Sequence, residues 1–514
     1  MTGSSPSSSM LRDAMSSLIQ VVLSAIAIFL LYRVVLEALG TREFGIWALV
    51  LAATSMVGLS NMGLTNSIIK HVAERHSDGD LAHVAALIET SVISVAALAA
   101  VLACAGYPLM RSYFAYSLDA DAYQTALSIL PMALLAFVLS MVTGIYHSAL
   151  YGCHLIVARN SILIFDSLGY LGLAVWLAPA HGLKGLIDAR VLQNALTLFI
   201  SVSVLRRHVP DLPLVLLRWS AARFKELIGY AFSLQLVGLL NLAMDPVTKG
   251  LLSRFGSLEM VTYYEMSSRL ILQVRGLIVS ANQVLLPTFA KESRGDAIGV
   301  SSLFERSFGV TFYVTVCFFS LSMAAMPLLG LIWLGREQIL FVDFSLILCV
   351  GWMVNTLAVP AYFACLGTGT LRVVVFSHLI MSVLNVLLSY GLGRWWGGIG
   401  VVAGWSMALA SGGLATHVLY CWPTDGRSRM RLPPQGLRLI LLGSIGLLLG
   451  YAARVWTQQG YFALSGEPGR LLPSSATLIC FLSVFLIPAY LHPVRGQLME
   501  RLLPSRRLTP RCSP

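Results

Sequence analysis

Charge is what this sequence has least of. Only 11% of its 514 residues are Asp, Glu, Lys or Arg, against about 25% in soluble globular proteins. A larger core does not remove the deficit, because a surface facing water still needs polar cover. The hydrophobic content of 57% and the mean hydropathy of +0.78 point instead to the bilayer as solvent. Long apolar runs recur along the whole length, which is the pattern of a polytopic membrane protein. Other absences narrow the class. The start MTGSSPSSSM has no basic stretch leading into a short apolar core and cleavage site, so the first helix is expected to insert and stay. The eight cysteines show no metal-ligand spacing and imply no disulfide framework; they read as small apolar fillers. No GxxxxGK[ST] loop is present, and LGTGTLR at 366–372 lacks the lysine, so no nucleotide motor is expected. No loop is long enough for a catalytic domain. No cofactor and no metal are expected. The net charge of +11 reads as basic cytoplasmic loops, with no nucleic-acid partner.

What is present is a succession of apolar segments. A span needs about 20 mainly apolar residues. The rule is met at 14–38, 44–66, 82–107, 125–148, 160–179, 183–205, 227–250, 257–283, 307–333, 341–365, 371–393, 397–421, 436–456 and 472–491. The expected fold is all-α, a polytopic membrane protein of about 14 transmembrane helices. The pairs at 160–205 and 371–421 are tight, with glycine turns between them. With both termini inside, Lys and Arg in inner segments outnumber those in outer segments by more than two to one, which favours that orientation. The longest connection, 206–226, contains LRWSAARFKEL, which has the pattern of an amphipathic surface helix.

Two glycine turns repeat at one offset. ALGTREFGIW (38–47) parallels RFGSLEMVTYY (254–264), pairing Gly40 with Gly256. HGLKGLIDARVLQNA parallels GGIGVVAGWSMALA, pairing Gly182 with Gly398. Each pair is separated by 216 positions (256 minus 40; 398 minus 182) and falls at the same place in the helix order. The organisation expected is therefore an N-terminal six-helix lobe at 1–210 and a second, duplicated six-helix lobe at 220–422. An added helix pair at 430–492 and a basic cytoplasmic tail at 493–514 complete it. Twin lobes of this kind face one another across a cavity and rock to alternate its opening.

Three stretches carry a family resemblance: LGTREFGIWALVLAATSMVGLSNMGLTNSIIKHVAE (39–74), EMVTYYEMSSRLILQVRGLIVSANQVLLPTFAK (259–291) and ACLGTGTLRVVVFSHLIMSVLNVLL (364–388). The chain resembles the polysaccharide flippases of the multidrug/oligosaccharidyl-lipid/polysaccharide exporter superfamily over nearly its whole length. The motifs are diffuse glycine-and-aromatic patterns with no catalytic signature. The resemblance implies translocation of undecaprenyl-pyrophosphate-linked oligosaccharides, such as O-antigen or exopolysaccharide units, from the cytoplasmic to the periplasmic leaflet of a bacterial inner membrane. It also implies a two-lobed cavity lined by the first two helices of each lobe. Helices 13 and 14 would offer a groove for the polyprenyl tail. Membrane lipids, a polysaccharide polymerase and assembly proteins are the further partners it suggests.

The stretch 244–276, MDPVTKGLLSRFGSLEMVTYYEMSSRLILQVRG, concentrates ions inside this oily chain. A charge at bilayer depth costs about 2.5–3.5 kcal/mol by insertion scales, so such residues invite a functional reading. The substrate-binding candidates are Arg33, Lys249, Arg254, Arg269 and Arg275, with Tyr263 and Tyr264 as rings for stacking on sugars. Glu37, Asp245 and Glu265 stand four residues from Arg33, Lys249 and Arg269, where partners on a helix touch. Two readings stand for these acids: ion pairs that glue helices together, or groups coupling transport to an ion. Arg254 and Arg275 have no acid at that spacing. A ladder of cations along the membrane normal suits a diphosphate, which arginine grips in bidentate fashion. Pro246 after Asp245 frees the carbonyl of Leu242 and marks a kink or hinge. Asp166 stands in the fifth span; Asp188 and Arg190 open the sixth. Trp47 reads as an interfacial belt residue. His71 and His76, beside Lys70 and Arg75, read as ordinary cytoplasmic charge.

The expected function is flipping of a lipid-linked oligosaccharide by alternating access, without catalysis. The rivals are a cation-coupled drug exporter, whose cavity needs unpaired acids, and a membrane polymerase or glycosyltransferase, which needs sizeable outer loops. A non-transporting scaffold would have lost its cavity charges.

Overall fold

The computed structural model describes residues 8–61, 63–213, 218–293, 297–335, 338–422, 433, 435–458 and 467–495. The expected basic tail therefore lies outside the described residues from 496 onward. Among the described residues there is no strand. The helices are α1 (Ser8–Ser55), α2 (Leu64–Ser77), α3 (Leu81–Ser117), α4 (Ala120–Gly152), α5 (Ile156–His208), α6 (Ala221–Phe255), α7 (Leu258–Gln283) and α8 (Leu285–Glu292). They continue as α9 (Ala297–Leu334), α10 (Ile339–Leu357), α11 (Val359–Thr368), α12 (Leu371–Cys421), α13 (Gly436–Gln458) and α14 (Glu467–Tyr490). Helix is the expected answer in lipid, because each backbone polar group is then satisfied within its own segment.

Ten of the described helical segments are long and apolar enough to cross a membrane. Three of them are double. α1, α5 and α12 break at Gly40, Gly182 and Gly397; α5 and α12 each supply two of the expected spans, whereas the span expected at 44–66 is α-helical only to Ser55 and continues as a 3-10 turn, Met56–Asn61. The seventh expected span is α6. The amphipathic segment is not a separate surface helix: Ala221 onward is the first turn of α6, which runs unbroken to Phe255. Helical geometry also continues through Pro246. The carbonyl of Pro246 accepts a hydrogen bond from the Tyr113 hydroxyl at 2.8 Å, so the proline sits in a packed helix and not at an open break.

The two tight hairpins share one backbone conformation. Gly182 has φ 64° and ψ −146°; Gly397 has φ 61° and ψ −145°. This is a conformation essentially reserved for glycine. Three residues on, Gly185 and Gly400 lie directly against the carbonyls of Leu177 and Leu392, leaving no room for a Cβ. The true spacing is 215 (397 minus 182), so the matching residue is Gly397 and not Gly398. The other pairing does not extend to conformation. Gly40 has φ 81° and breaks a helix, whereas Gly256 has φ −119° and caps the end of α6.

The described chain divides into two compact units. The first comprises Met1–Glu265 and Ser389–Val401. Its core is built by α2 to α6, with Ile68, Val72, Ile88, Tyr146, Leu150 and Leu205 fully or nearly fully buried. The second comprises Met266–Leu388 and Val402–Pro514. It packs a phenylalanine ladder of α9, Phe304, Phe308 and Phe312, with Phe481 and Phe485 of α14. The added helix pair thus belongs to this unit. Tyr313 on α9 donates to the Ala489 carbonyl at 2.8 Å. Gly446 and Gly450 of α13 lie against Phe481 and the Thr477 carbonyl of α14. Such small-residue contacts let helices approach where lipid supplies no hydrophobic drive. Among the described residues the seven cysteines are free.

Candidate functional site

The ions of the opening stretch do not form one uniform ladder. In the first unit they converge on Lys249. Its ammonium lies 2.7 Å from Asp245 Oδ2, one turn earlier on α6, and 2.7 Å from Glu265 Oε2 on α7. Tyr32 of α1 donates to Glu265 Oε1, also at 2.7 Å. Lys249, Glu265 and Tyr32 are buried, while the Asp245 side chain keeps 47% of its exposure. One ammonium thus meets two carboxylates, and the exposure of Asp245 lets water solvate it as well, since a wholly buried unpaired carboxylate would cost several kcal/mol. Lys249 is thus enclosed between acids. It has the geometry of a helix-pinning cation and not of an open anion site, because its charge is already answered.

Local sequence explains why Tyr32 reaches Glu265. α1 turns at Gly40, and the residues after the turn fold an aromatic group back on Tyr32. Phe44 and Trp47 meet its ring edge-on at 5.2 and 5.7 Å. The Thr262 hydroxyl donates to the Thr41 carbonyl at 2.6 Å, and Gly45 admits the backbone of Leu258. Three helices are thereby held at the point where the ions meet. Trp47 is 3% exposed, so it is a core residue, not the belt residue its type suggested. Tyr263 and Tyr264 are also buried, at 0% and 2%. Their ring faces are enclosed by protein, which is not the open platform that stacking on a sugar needs.

The arginines behave differently. Arg33 pairs with Glu37 at 2.8 Å, but both side chains remain exposed, at 46% and 63%. The i,i+4 expectation holds here, as it does for Asp245 and Lys249. Arg254 is exposed at the end of α6, its guanidinium 5.5 Å from the centre of the Tyr116 ring. In the second unit Arg269 is exposed on α7. Arg275 is half-buried against Trp352, 4.6 Å from the ring centre, and its Nε has no hydrogen-bond partner among the described residues. Cation–π contact of this kind contributes about 0.5–2 kcal/mol while leaving N–H donors available.

Several polar contacts fell outside the sequence argument. Arg42 spans to the α3–α4 connection, bonding Asp119 at 3.0 Å and Asp121 at 2.8 Å. The Ala122 amide and, after it, the Arg42 guanidinium hold the Asp119 carboxyl below its ordinary range. Asp166, solitary in sequence, meets Arg190 at 3.2 Å and the Thr197 hydroxyl at 3.0 Å across the Gly182 turn. The turn made that pair, and a hairpin reading of 160–205 was the signal for it. His71 lies 3.4 Å from Glu74 and 3.7 Å from Glu226. Its ring is therefore directed at acids and not at an open basic patch. No group of three metal-ligating side chains occurs among the described residues.

Each of the two units is built of long helices, and ten of the described segments are long and apolar enough to cross a membrane. The profile of the polysaccharide biosynthesis protein family matches residues 10–293, more than half of the chain, and the chain belongs to that family. Solved structures agree on the fold. A lipid II flippase MurJ in an inward closed conformation is similar with TM-score 0.69 at 12% identity, over 96% of this chain and 99% of that one. An inward-facing multidrug resistance MATE family transporter of the MOP superfamily is similar with TM-score 0.67 at 14% identity, over 79% and 96%. An outward-facing MATE family transporter gives 0.57 at 14% identity, over 83% and 96%. No curated protein matches the sequence. At these identities the likeness shows the fold alone, a polytopic helical fold shared with the MATE family transporters and the MurJ flippase.

Proposed function

We propose that the protein is a flippase that carries an undecaprenyl-pyrophosphate-linked oligosaccharide, an O-antigen or exopolysaccharide repeat, from the cytoplasmic to the periplasmic leaflet. It does so by alternating access between a lobe at 1–210 and a lobe at 220–422. The supporting observation is the unequal fate of the two signs of charge in α6 and α7. Glu265 meets Lys249 and Tyr32 inside the protein, whereas Arg254 remains exposed and Arg275 keeps an Nε with no hydrogen-bond partner among the described residues. An exposed guanidinium at membrane depth is costly against lipid tails, so it calls for water or an anion beside it. A pyrophosphate supplies that anion, and its oxygens match the guanidinium fork. Arg33, Arg254, Arg269 and Arg275 are the residues assigned to the head group. Lys249, Asp245 and Glu265 hold the helices that carry them, and Asp245, half-exposed beside its lysine, is the place where a coupling cation would act. The setting is a bacterial inner membrane with both termini cytoplasmic, alongside a polymerase and assembly proteins.

The half-exposed Asp245 also favours a second reading, a cation-coupled multidrug exporter. One experiment separates them. In cells dependent on the protein for surface polymer, Arg269→Ala is expected to lower polymer output about tenfold or more at unchanged protein level. That is the effect of one lost charge-assisted hydrogen bond of about 1.5–3 kcal/mol. Normal polymer output together with altered resistance to organic cations favours the exporter.

A further inference from the structure

The segment that leads into α6 is fastened to α2 and α3 in two ways. Part of the fastening is closed hydrogen bonds. Glu89, buried on α3, accepts from the Arg218 amide at 2.6 Å. The Trp219 indole N–H donates to the Ser94 hydroxyl at 2.9 Å. The Ser67 hydroxyl of α2 donates to the Leu227 carbonyl at 2.7 Å.

The rest is ionic and stands open. The carboxylate of Glu226 lies between two histidines on different helices. Its Oε1 is 3.7 Å from His71 Nδ1 on α2, and its Oε2 is 3.6 Å from His83 Nε2 on α3. Each histidine has a second acid within reach. His71 Nδ1 is 3.4 Å from Glu74, and His83 Nδ1 is 3.8 Å from Asp80, whose other oxygen accepts from the His83 amide. A charge-assisted bond between such groups is about 2.7–2.9 Å long, so these contacts are aligned without being closed. His83 Nε2 is buried and has no hydrogen-bond partner among the described residues. The His71, His83 and Glu226 side chains keep only 14%, 21% and 30% of their exposure, so water screens the cluster only in part.

Lys70 and Arg75 on α2, Asp78 in the α2–α3 turn, and Arg223 and Lys225 on α6 share this end of the unit. α4 packs on α2 where Gly152 meets Val72, and it brings no charged residue there; its His147 is turned to Ser201. Histidine changes its charge between about pH 5 and 8, whereas the arginines, lysines and carboxylates ordinarily hold theirs through that range. Only the protonated ring carries an N–H on both nitrogens and a charge for the acids around it.

We propose that His71, His83 and Glu226 form a pH-operated clamp. Protonated histidines close on Glu226 and hold the start of α6 against α2 and α3; neutral histidines release it. The clamp's contribution is therefore present while the rings are charged and is lost as pH rises through their titration. On the flippase reading, and resting on it, the second lobe begins at this segment, so acid on that side of the membrane would restrain the lobe's first helix and slow transport. The experiment below measures the clamp without transport.

The test is hydrogen exchange of the purified full chain in nanodiscs, followed by mass spectrometry and corrected for the intrinsic pH dependence of exchange. Between about pH 8 and about pH 6, protection of segments 68–86 and 218–227 should rise about fivefold, the equivalent of about 1 kcal/mol for partly exposed ion pairs. The double variant His71→Gln/His83→Gln should keep the protection of wild type at about pH 8 and show no rise on acidification. Glu226→Gln should lose most of the rise. His83→Arg carries a permanent charge and should hold much of the acid-level protection at both pH values, so that variants reading in opposite directions guard against a mere folding defect. No rise in wild type, the full rise in the double variant or in Glu226→Gln, or a rise shared equally by α13 and α14 would each overturn the proposal.

Discussion

Replacing Lys249 by Met takes away the cation that Asp245 and Glu265 share. Glu265, 4% exposed in its side chain, loses the ammonium and keeps the Tyr32 hydroxyl as a donor. Removing one partner of a buried pair costs about 3–5 kcal/mol. The retained Tyr32 bond offsets about 1 kcal/mol of that, and Asp245, 47% exposed, rehydrates at little cost. The net expectation is about 3 kcal/mol. Glu265→Gln leaves Lys249 with Asp245 and keeps an acceptor for Tyr32, so its cost should be smaller, about 1–2 kcal/mol. The double variant removes both buried charges together and should cost far less than the sum, because a buried pair contributes little net stability. The coupling energy from a double-mutant cycle, read by reversible unfolding in mixed micelles, should be about 2 kcal/mol. Costs that add to within about 0.5 kcal/mol would refute the shared cluster, since additivity marks independent sites.

Asp245→Asn should lower stability by about 1 kcal/mol or less in the same micelles, as half-exposed pairs do; a loss as large as that of Lys249→Met would contradict the half-exposed setting of Asp245. Gly182→Ala and Gly397→Ala should each destabilise by about 1–3 kcal/mol, because both glycines hold the same positive-φ conformation; equal folded yield and unfolding midpoints would contradict the repeat of that turn. Asp119 has a depressed pKa from its usual 3.8. Its contribution is therefore present above the unfolded value and lost as pH falls through the lower folded value. Acid unfolding of Asp119→Asn should show a flatter response than wild type below about pH 4, and identical acid profiles would exclude the group.

Much of the architecture was legible. In a bilayer, length and hydropathy alone select spans, and the backbone has little choice beyond helix. The glycine hairpins at 182 and 397 were visible because a tight turn between apolar runs needs a residue without Cβ. The off-by-one at Gly398 arose because WWGGIG offers two adjacent glycines, and only the backbone shows which one carries the positive φ. Site chemistry was less legible. The spacing rule found Arg33 with Glu37 and Asp245 with Lys249, since it describes neighbours on one helix. It is silent about partners brought from other helices, which is how Tyr32 reached Glu265 and Arg42 reached Asp119. Residue type misled at Trp47. An aromatic near a span end suits an interface or a sugar equally well as a core, and the fold around Gly40 placed Trp47 in the core.

The most direct test of the flippase account is transfer of a lipid-linked saccharide in proteoliposomes made with the purified protein. Polyprenyl-pyrophosphate-linked oligosaccharide is placed in both leaflets, and the outer pool is followed by periodate or lectin access. The account predicts protein-dependent exchange between leaflets that falls about tenfold in Arg269→Ala and further when Arg254→Ala is added. Wild-type exchange in that double variant, or no exchange while an organic cation is carried, would contradict it.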